Sequence, residues 1–209
     1  PPMFCMLLRK HCENGRIESI EQVGFERMIR MIIRHKNELG DDVYKHFMVE
    51  LMGRHSNMIL MDEHGHIYDG IHHITPSISQ YRVVMPGSHY IPPPEQNKRD
   101  PLTDRNVWKE IWQQESDPLN LAQQIVQTFS GISPLLAKEI VHRGSEELPT
   151  FLDRIQQHQY EPNLVVTSRG KSYFSIIPLT HLEGEYTSYE SMHHCLEHFY
   201  GDKIKHDII

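Results

Sequence analysis

Val49-Glu-Leu-Met-Gly-Arg-His-Ser-Asn-Met-Ile-Leu60 sets a polar knot, Gly53-Arg54-His55-Ser56-Asn57, between two apolar runs. Before the knot, Phe47, Val49 and Leu51 alternate with His46, Met48 and Glu50, the period of a half-buried strand. After it, Met58 to Met61 is apolar on both faces, as in a buried strand. The knot is therefore expected where one strand hands over to the next. Gly53 permits backbone angles that a residue with a Cβ resists. Arg54, His55, Ser56 and Asn57 supply a dense set of polar groups. They either satisfy backbone groups at a buried bend or line a polar ligand surface. The first reading is preferred, because such bends are common and loop backbone needs polar partners.

Working outward, Asp62-Glu63-His64-Gly65 has acid first and glycine fourth, a turn joining Met58–Met61 to Ile67–Ile71 as a hairpin. Upstream, Asn37 to Asp42 reads as a turn, and Ile29, Met31 and Ile33 alternate with Arg30, Ile32 and Arg34 as a strand with an arginine-bearing outer face. Residues 17–23 remain open between helix and strand. Pro1-Pro2 followed by Met3 to His11 reads as a helix, with basic residues at the negative end of its dipole and Asn14-Gly15 as its stop. Downstream, the prolines of residues 75–94 predict an extended loop, with a domain boundary near residues 92–101.

Beyond that boundary the period becomes helical. Val107 and Ile111, like Trp108 and Trp112, lie four apart. Asp117-Pro118 and Ser133-Pro134 are N-caps with proline at the first helical position, and Gly131 and Gly144 are stops. A further helix is predicted over Pro149 to His158. Leu164–Thr167 and Tyr173–Ile177 flank Ser168-Arg169-Gly170-Lys171 as a hairpin, expected to pack back on the first domain. Ser188 is expected to start a last helix, with Tyr189, Met192, Leu196 and Phe199 on one stripe at coiled-coil spacing. The fold class is α+β: a β-rich domain over residues 1–98, a helical module over 99–160, and a returning β-hairpin with the start of a coiled-coil helix over 161–209.

The 209 residues suffice for one large or two small domains. With 38% apolar and 23% charged residues the chain is globular rather than disordered. A net charge of −7 argues against nucleic-acid binding by bulk charge, though not against a local basic site. Three cysteines, Cys5, Cys12 and Cys195, with no CxxC pair, fit free thiols in a reducing compartment. No apolar run reaches membrane-spanning length and no signal peptide is visible. The chain opens on Pro1-Pro2 rather than Met and reads as a piece of a longer protein.

Four constellations could carry chemistry. Phe129 to Ile140 resembles a helix–hairpin–helix, whose free N–H groups at a helix start can hold a phosphate; Ser133, Lys138 and Arg143 are the candidate contacts. Ser133 stands where that motif usually has a second glycine, and a plain packed helical hairpin is the alternative. Glu26-Arg27, after Gly24, pairs a carboxylate that can accept from an exocyclic amino group with a guanidinium that can stack or fork onto phosphate. On spacing alone a surface ion pair, worth little, is the preferred reading. His64 and His66 share a strand face, but no cysteine or carboxylate completes a ligand set at clear spacing, so no metal is expected. No nucleophile elbow, Cys–His arrangement or glycine-rich phosphate loop is present, so no catalytic residue is assigned.

Taken together, Pro1-Pro-Met-Phe-Cys-Met-Leu-Leu-Arg-Lys-His11, Glu50-Leu-Met-Gly-Arg-His-Ser-Asn57, Asp69-Gly-Ile-His-His-Ile-Thr-Pro-Ser77, Tyr81-Arg-Val-Val-Met-Pro-Gly87 and Phe199-Tyr200 closely resemble the NFACT family. That family includes bacterial RqcH (often called fibronectin-binding protein A, FbpA) and eukaryotic NEMF. The resemblance implies an NFACT-N domain, a helix–hairpin–helix region and the start of a coiled coil. It implies a non-enzymatic factor of ribosome-associated quality control, cytoplasmic and ribosome-associated. Its implied partners are the large ribosomal subunit obstructed by peptidyl-tRNA, and tRNA, mainly alanyl-tRNA, recruited for C-terminal tailing of stalled chains. No cofactor is implied. The family's acid–arginine pair for tRNA matches Glu26 and Arg27, with glutamate replacing the usual aspartate. One extra methylene moves the carboxylate and can alter a base contact.

NFACT-N also resembles formamidopyrimidine DNA glycosylase in fold. That reading is rejected, because Pro1-Pro2 lacks the following acid and no four-cysteine zinc finger exists. The alternative from another class is a cell-surface adhesin that binds fibronectin, as the older family name suggests.

Overall fold

A computed structural model describes residues 2–206. The chain divides into two units, Pro1–Asn97 and Lys98–Ile209, and combines helices with antiparallel sheets as an α+β protein.

The first unit opens with α1 (Met3–Cys12), followed by β1 (Arg16–Gln22), β2 (Met28–Lys36), β3 (Asp42–Glu50), β4 (Asn57–Asp62) and β5 (Ile67–Gly70). The five strands form one antiparallel sheet in chain order. Residues 17–22, ambiguous by period, are strand because Ile17 pairs Ile33 and Gln22 pairs Ile29 across β2. Here the tertiary partner decides what local pattern did not. α1 stops where Asn14 takes φ +63°, and Gly15 then passes so close that a Cβ would lie 2.8 Å from the Cys12 carbonyl and the Ile33 side chain. The β2–β3 turn is held by the Asn37 carboxamide oxygen, which accepts from the N–H groups of Leu39 and Asp41. The β4–β5 turn is held by Asp62, which accepts from His64 and His66, with Gly65 at φ +85°.

The core of this unit is Met28, Met48, Ile59, Met61, Ile67 and Val84. Val84 comes from the proline-rich loop, which closes on itself through paired hydrogen bonds between Ile74 and Val84. In β3 the most buried side is Met48 and Glu50, whereas Leu51, just past the strand, is 47% exposed. Ile59 to Met61 are buried on both faces as the pattern predicts, but Met58 is exposed.

The second unit carries α2 (Arg105–Gln114), α3 (Pro118–Thr128), α4 (Pro134–Arg143) and α5 (Leu148–Gln156). Asp117 caps α3 by accepting from Leu119 and Asn120; Ser133 caps α4 by accepting from Leu136. Each cap is followed by proline at the first helical position, as the sequence predicts. Trp108 stacks on Phe129 at 4.0 Å in a core with Ile125, Ala137, Ile140, Phe151 and Leu152.

Next come β6 (Asn163–Thr167), β7 (Ser172–Ser175), β8 (Gly184–Ser188) and α6 (Met192–His206). β6 lies between β7 and β8. The sequence reading missed β8 and set the helix start at Ser188; residues 184–188 instead pair with β6, and Ser191 accepts from His194 at the first turn of α6. Among the described residues of α6 the buried one is Cys195, which lies off the predicted stripe, while the stripe member Phe199 meets Phe174 edge-on at 4.7 Å. The 164–177 hairpin, expected to pack back on the first domain, has partners within its own unit. These are β8, α6 and the helical core, which Ile176 and Ile177 join.

Two buried polar residues pin that arrangement. Glu139 on α4 accepts from Arg143 Nε, from the Thr180 hydroxyl and N–H, and from the His181 N–H and Nδ1. Asn163 donates to the carbonyls of Glu161, Ser175 and Ile177 and accepts from the Leu179 N–H.

Candidate functional site

Three chain reversals lie at one end of the first unit's sheet, because the strands run antiparallel in order. They are residues 23–27, residues 51–56, and the segment leaving β5 at Ile71. Hydrogen bonds to backbone tie them together. The Leu51 N–H donates to the Arg27 carbonyl at 2.8 Å. The Asn57 carboxamide accepts from the His72 N–H at 3.0 Å and donates to the His72 carbonyl at 2.9 Å.

Glu26 and Arg27 sit on the first of these reversals. Gly24 takes φ +55°, the Glu26 N–H donates to the Val23 carbonyl, and Gln22 Nε2 donates to the Glu26 carbonyl. The backbone is therefore fixed while both side chains are exposed. Neither side chain forms an ion pair or hydrogen bond with any other described residue. The surface ion-pair alternative thus has no counterpart in the geometry. An unpaired carboxylate beside an unpaired guanidinium is a donor–acceptor set for an external partner.

The knot at residues 53–57 divides between its two readings. Gly53–His55 forms one turn of 3-10 helix, with Gly53 at φ +56°. Ser56 and Asn57 satisfy backbone: the Ser56 hydroxyl accepts from the Met52 N–H at 2.9 Å and donates to the Gly53 carbonyl at 2.7 Å. Arg54 and His55 point outward and are exposed.

Beneath this end lies a charge pair that the sequence reading missed. Glu50 is fully buried and accepts from both terminal nitrogens of Arg82, at 2.7 and 2.8 Å, and from the Tyr90 hydroxyl at 2.7 Å. Burial raises the Tyr90 hydroxyl's pKa far above its ordinary value, and the neighbouring Glu50 carboxylate adds to the shift. In the sequence Glu50 falls with His46 on the polar side of the strand's alternation, so the order of residues does not announce its burial.

The helical hairpin is arranged differently. Ser133 is exposed at the start of α4, with its hydroxyl already accepting from Leu136; Lys138 is exposed in mid-helix. Arg143 lies ten residues from Ser133, about 15 Å along the helix. Its guanidinium is engaged inside the unit by Glu139 and the Pro178 carbonyl. The three candidate phosphate contacts therefore do not converge. The histidines also disperse: His66 meets Asp62, His64 approaches Glu63, and His193 meets Glu197. No group of three or more potential metal ligands converges among the described residues. No described helix is long and apolar enough to cross a membrane.

The family model for the NFACT N-terminal and middle domains matches residues 1–209. The Rqc2 homolog RqcH of Bacillus subtilis is 43% identical over 99% of this chain and 38% of its own length. The Streptococcus pneumoniae Rqc2 homolog RqcH is 34% identical over 99% of this chain and 36% of its own. The chain thus spans somewhat more than a third of the curated relatives it matches. Among solved structures, the fibrinogen binding protein of Staphylococcus aureus superposes with TM-score 0.75 at 35% identity, over 96% of this chain and 76% of that one. The N-terminal part of the fibronectin/fibrinogen-binding protein of Streptococcus suis gives TM-score 0.78 at 29% identity, over 97% and 73%. On this match over its whole length, with the knot and the Glu26-Arg27 turn set at one end of its sheet, the chain belongs to the NFACT family.

Proposed function

We propose that this chain is the tRNA-engaging part of a non-enzymatic factor of ribosome-associated quality control. That factor acts on large ribosomal subunits obstructed by peptidyl-tRNA and recruits alanyl-tRNA for C-terminal tailing. The observation that carries the reading is the exposed, internally unpaired Glu26–Arg27 pair on a backbone-fixed turn. The RqcH names of the curated relatives support the quality-control setting. Glu26 accepts from a base amino group and Arg27 forks onto phosphate or stacks on a base. The ribosome makes the peptide bond; this chain positions the tRNA. With a net charge of −7, binding rests on this local site rather than on bulk attraction.

The test is RNA copurification with the full-length protein, comparing native Arg27 with Arg27→Ala. Native protein is expected to carry alanine tRNA and large subunits, and the variant to keep the subunit and lose the tRNA. Failure of native protein to enrich either overturns the reading.

A second reading, a surface adhesin binding fibronectin, is favoured only by the names of the solved structures of similar fold. Binding to purified tRNA and to fibronectin at the same salt separates the two.

A further inference from the structure

We propose that Arg54 is a second RNA-contacting arginine of the Glu26–Arg27 site, placed to grip a phosphate of the same RNA. The inference rests on the tRNA-binding reading above and adds a residue to it. Three features of this end of the sheet point to it.

The first is charge. Seven arginines of the described chain, Arg30, Arg34, Arg82, Arg99, Arg105, Arg143 and Arg154, sit in ion pairs with carboxylates. Among the described residues Arg54 does not, nor do Arg9, Arg16, Arg27 and Arg169; of these five, Arg27 and Arg54 are carried on neighbouring reversals at one end of the sheet. Two exposed guanidiniums with no internal counter-charge thus occupy the same end of the sheet.

The second is rigidity. The turn that carries Arg54 is fixed from several sides: Ser56 bonds Met52 and Gly53 through its hydroxyl, the Ser56 N–H donates to the Gly53 carbonyl, and the His55 N–H donates to the Met52 carbonyl. The Arg54 side chain is itself steadied, with Nε donating to His55 Nε2 at 3.2 Å. That bond uses Nε and leaves the two terminal nitrogens as an outward fork. Holding a long exposed side chain costs conformational entropy and returns little at a surface, whereas it lowers the ordering cost of binding a ligand.

The third is proximity. Leu51, whose N–H holds the Arg27 carbonyl, precedes Arg54 by three residues, a span of at most about 11 Å of chain. Arg27 and Arg54 are thus carried on two turns joined by a 2.8 Å hydrogen bond. A phosphate backbone offers anionic oxygens at intervals shorter than that span, so one RNA strand can meet both forks.

The division of labour follows. Glu26 and Arg27 read the base and its neighbour; Arg54 anchors the backbone and is indifferent to sequence. His55 is a positioning residue for Arg54.

The test uses the full-length protein, with alanine tRNA and one unrelated tRNA, titrated over a series of salt concentrations. Arg54→Ala is expected to weaken both tRNAs by the same factor, about tenfold, and to lower the slope of log affinity against log salt by about one. Arg54→Lys is expected to recover the slope, because one charge returns, but not the full affinity. Thermal midpoints of both variants should match the native protein, since Arg54 bonds only its exposed neighbour. If Arg54→Ala binds with native affinity and slope while Arg27→Ala does not bind, the inference fails and the tRNA reading stands. If Arg54→Ala changes the ratio between the two tRNAs, the phosphate role is overturned in favour of base reading. If Arg27→Ala and Glu26→Gln also bind as native, the reading beneath it fails.

Discussion

Among the described residues, each unit buries one glutamate and one asparagine: Glu50 and Asn57 in the first, Glu139 and Asn163 in the second, all completely except Asn57, which is nearly so. The asparagines act alike, each clamping backbone from a distant segment. The glutamates do not. Glu50 is neutralised by one guanidinium from a loop 32 residues away, supported by a tyrosine hydroxyl. Glu139 is ringed by donors from Thr180, His181 and its own helix. A charge answered by a single distant cation is an all-or-none contact. A charge answered by many short donors loses its support in steps. The first kind underlies the end that carries Glu26, Arg27 and Arg54. The second kind staples a helix to the segment after β7.

That contrast can be broken most sharply at Arg82. Arg82→Met strands a buried carboxylate and should cost about 3–5 kcal/mol of unfolding free energy, read by denaturant titration of the full-length protein. The double variant Glu50→Leu with Arg82→Met should regain most of it; a double variant as unstable as the single one would show that the pair is not the coupled unit described here.

Glu139 supplies the next largest effect. Burial alone would raise its carboxyl, but the hydrogen bonds from Thr180 and His181 outweigh that and hold it at about 2, below the ordinary 4.5. A depressed folded pKa means that its contribution is complete above 4.5 and is lost as pH falls from there towards 2. Glu139→Gln should therefore cost about 2 kcal/mol at neutral pH, and the gap from native should close on acidification. Equal gaps at pH 7 and pH 3 would contradict the assignment.

Smaller still are the caps. Ser133→Ala and Asp117→Ala should each cost about 1 kcal/mol, with Ser133→Asp close to neutral. Calorimetry that showed a much larger loss for Ser133→Ala would mean that its hydroxyl holds more than the Leu136 N–H.

These buried partners also mark where sequence reading ran out. Caps, turns and helical periods are local, so Asp117, Ser133, Gly131 and the Asp62–Gly65 hairpin were legible in the order of residues. The burial of Met48 and Glu50 was not, because a buried acid needs a cation to explain it, and Arg82 arrives from the far side of a proline-rich loop. β8 was missed because Gly184 to Ser188 is exposed along its length and has no hydrophobic alternation to show. Glu26 and Arg27 were legible as a pair only through the family resemblance. Arg54 was visible as a donor, but its place beside Arg27 depends on the backbone bond from Leu51.

Cys195 offers an unplanned probe of this molecule. Its thiol is wholly buried, pushed above its usual pKa by that burial, and directed at the Asn163 carbonyl where α6 meets β6. Cys5 and Cys12, by contrast, are partly open to solvent. A thiol-labelling reagent will therefore consume two sites promptly and the third only when the last helix lifts from its sheet. The slow phase of such a time course is a clock for that lifting, and it needs no engineered label.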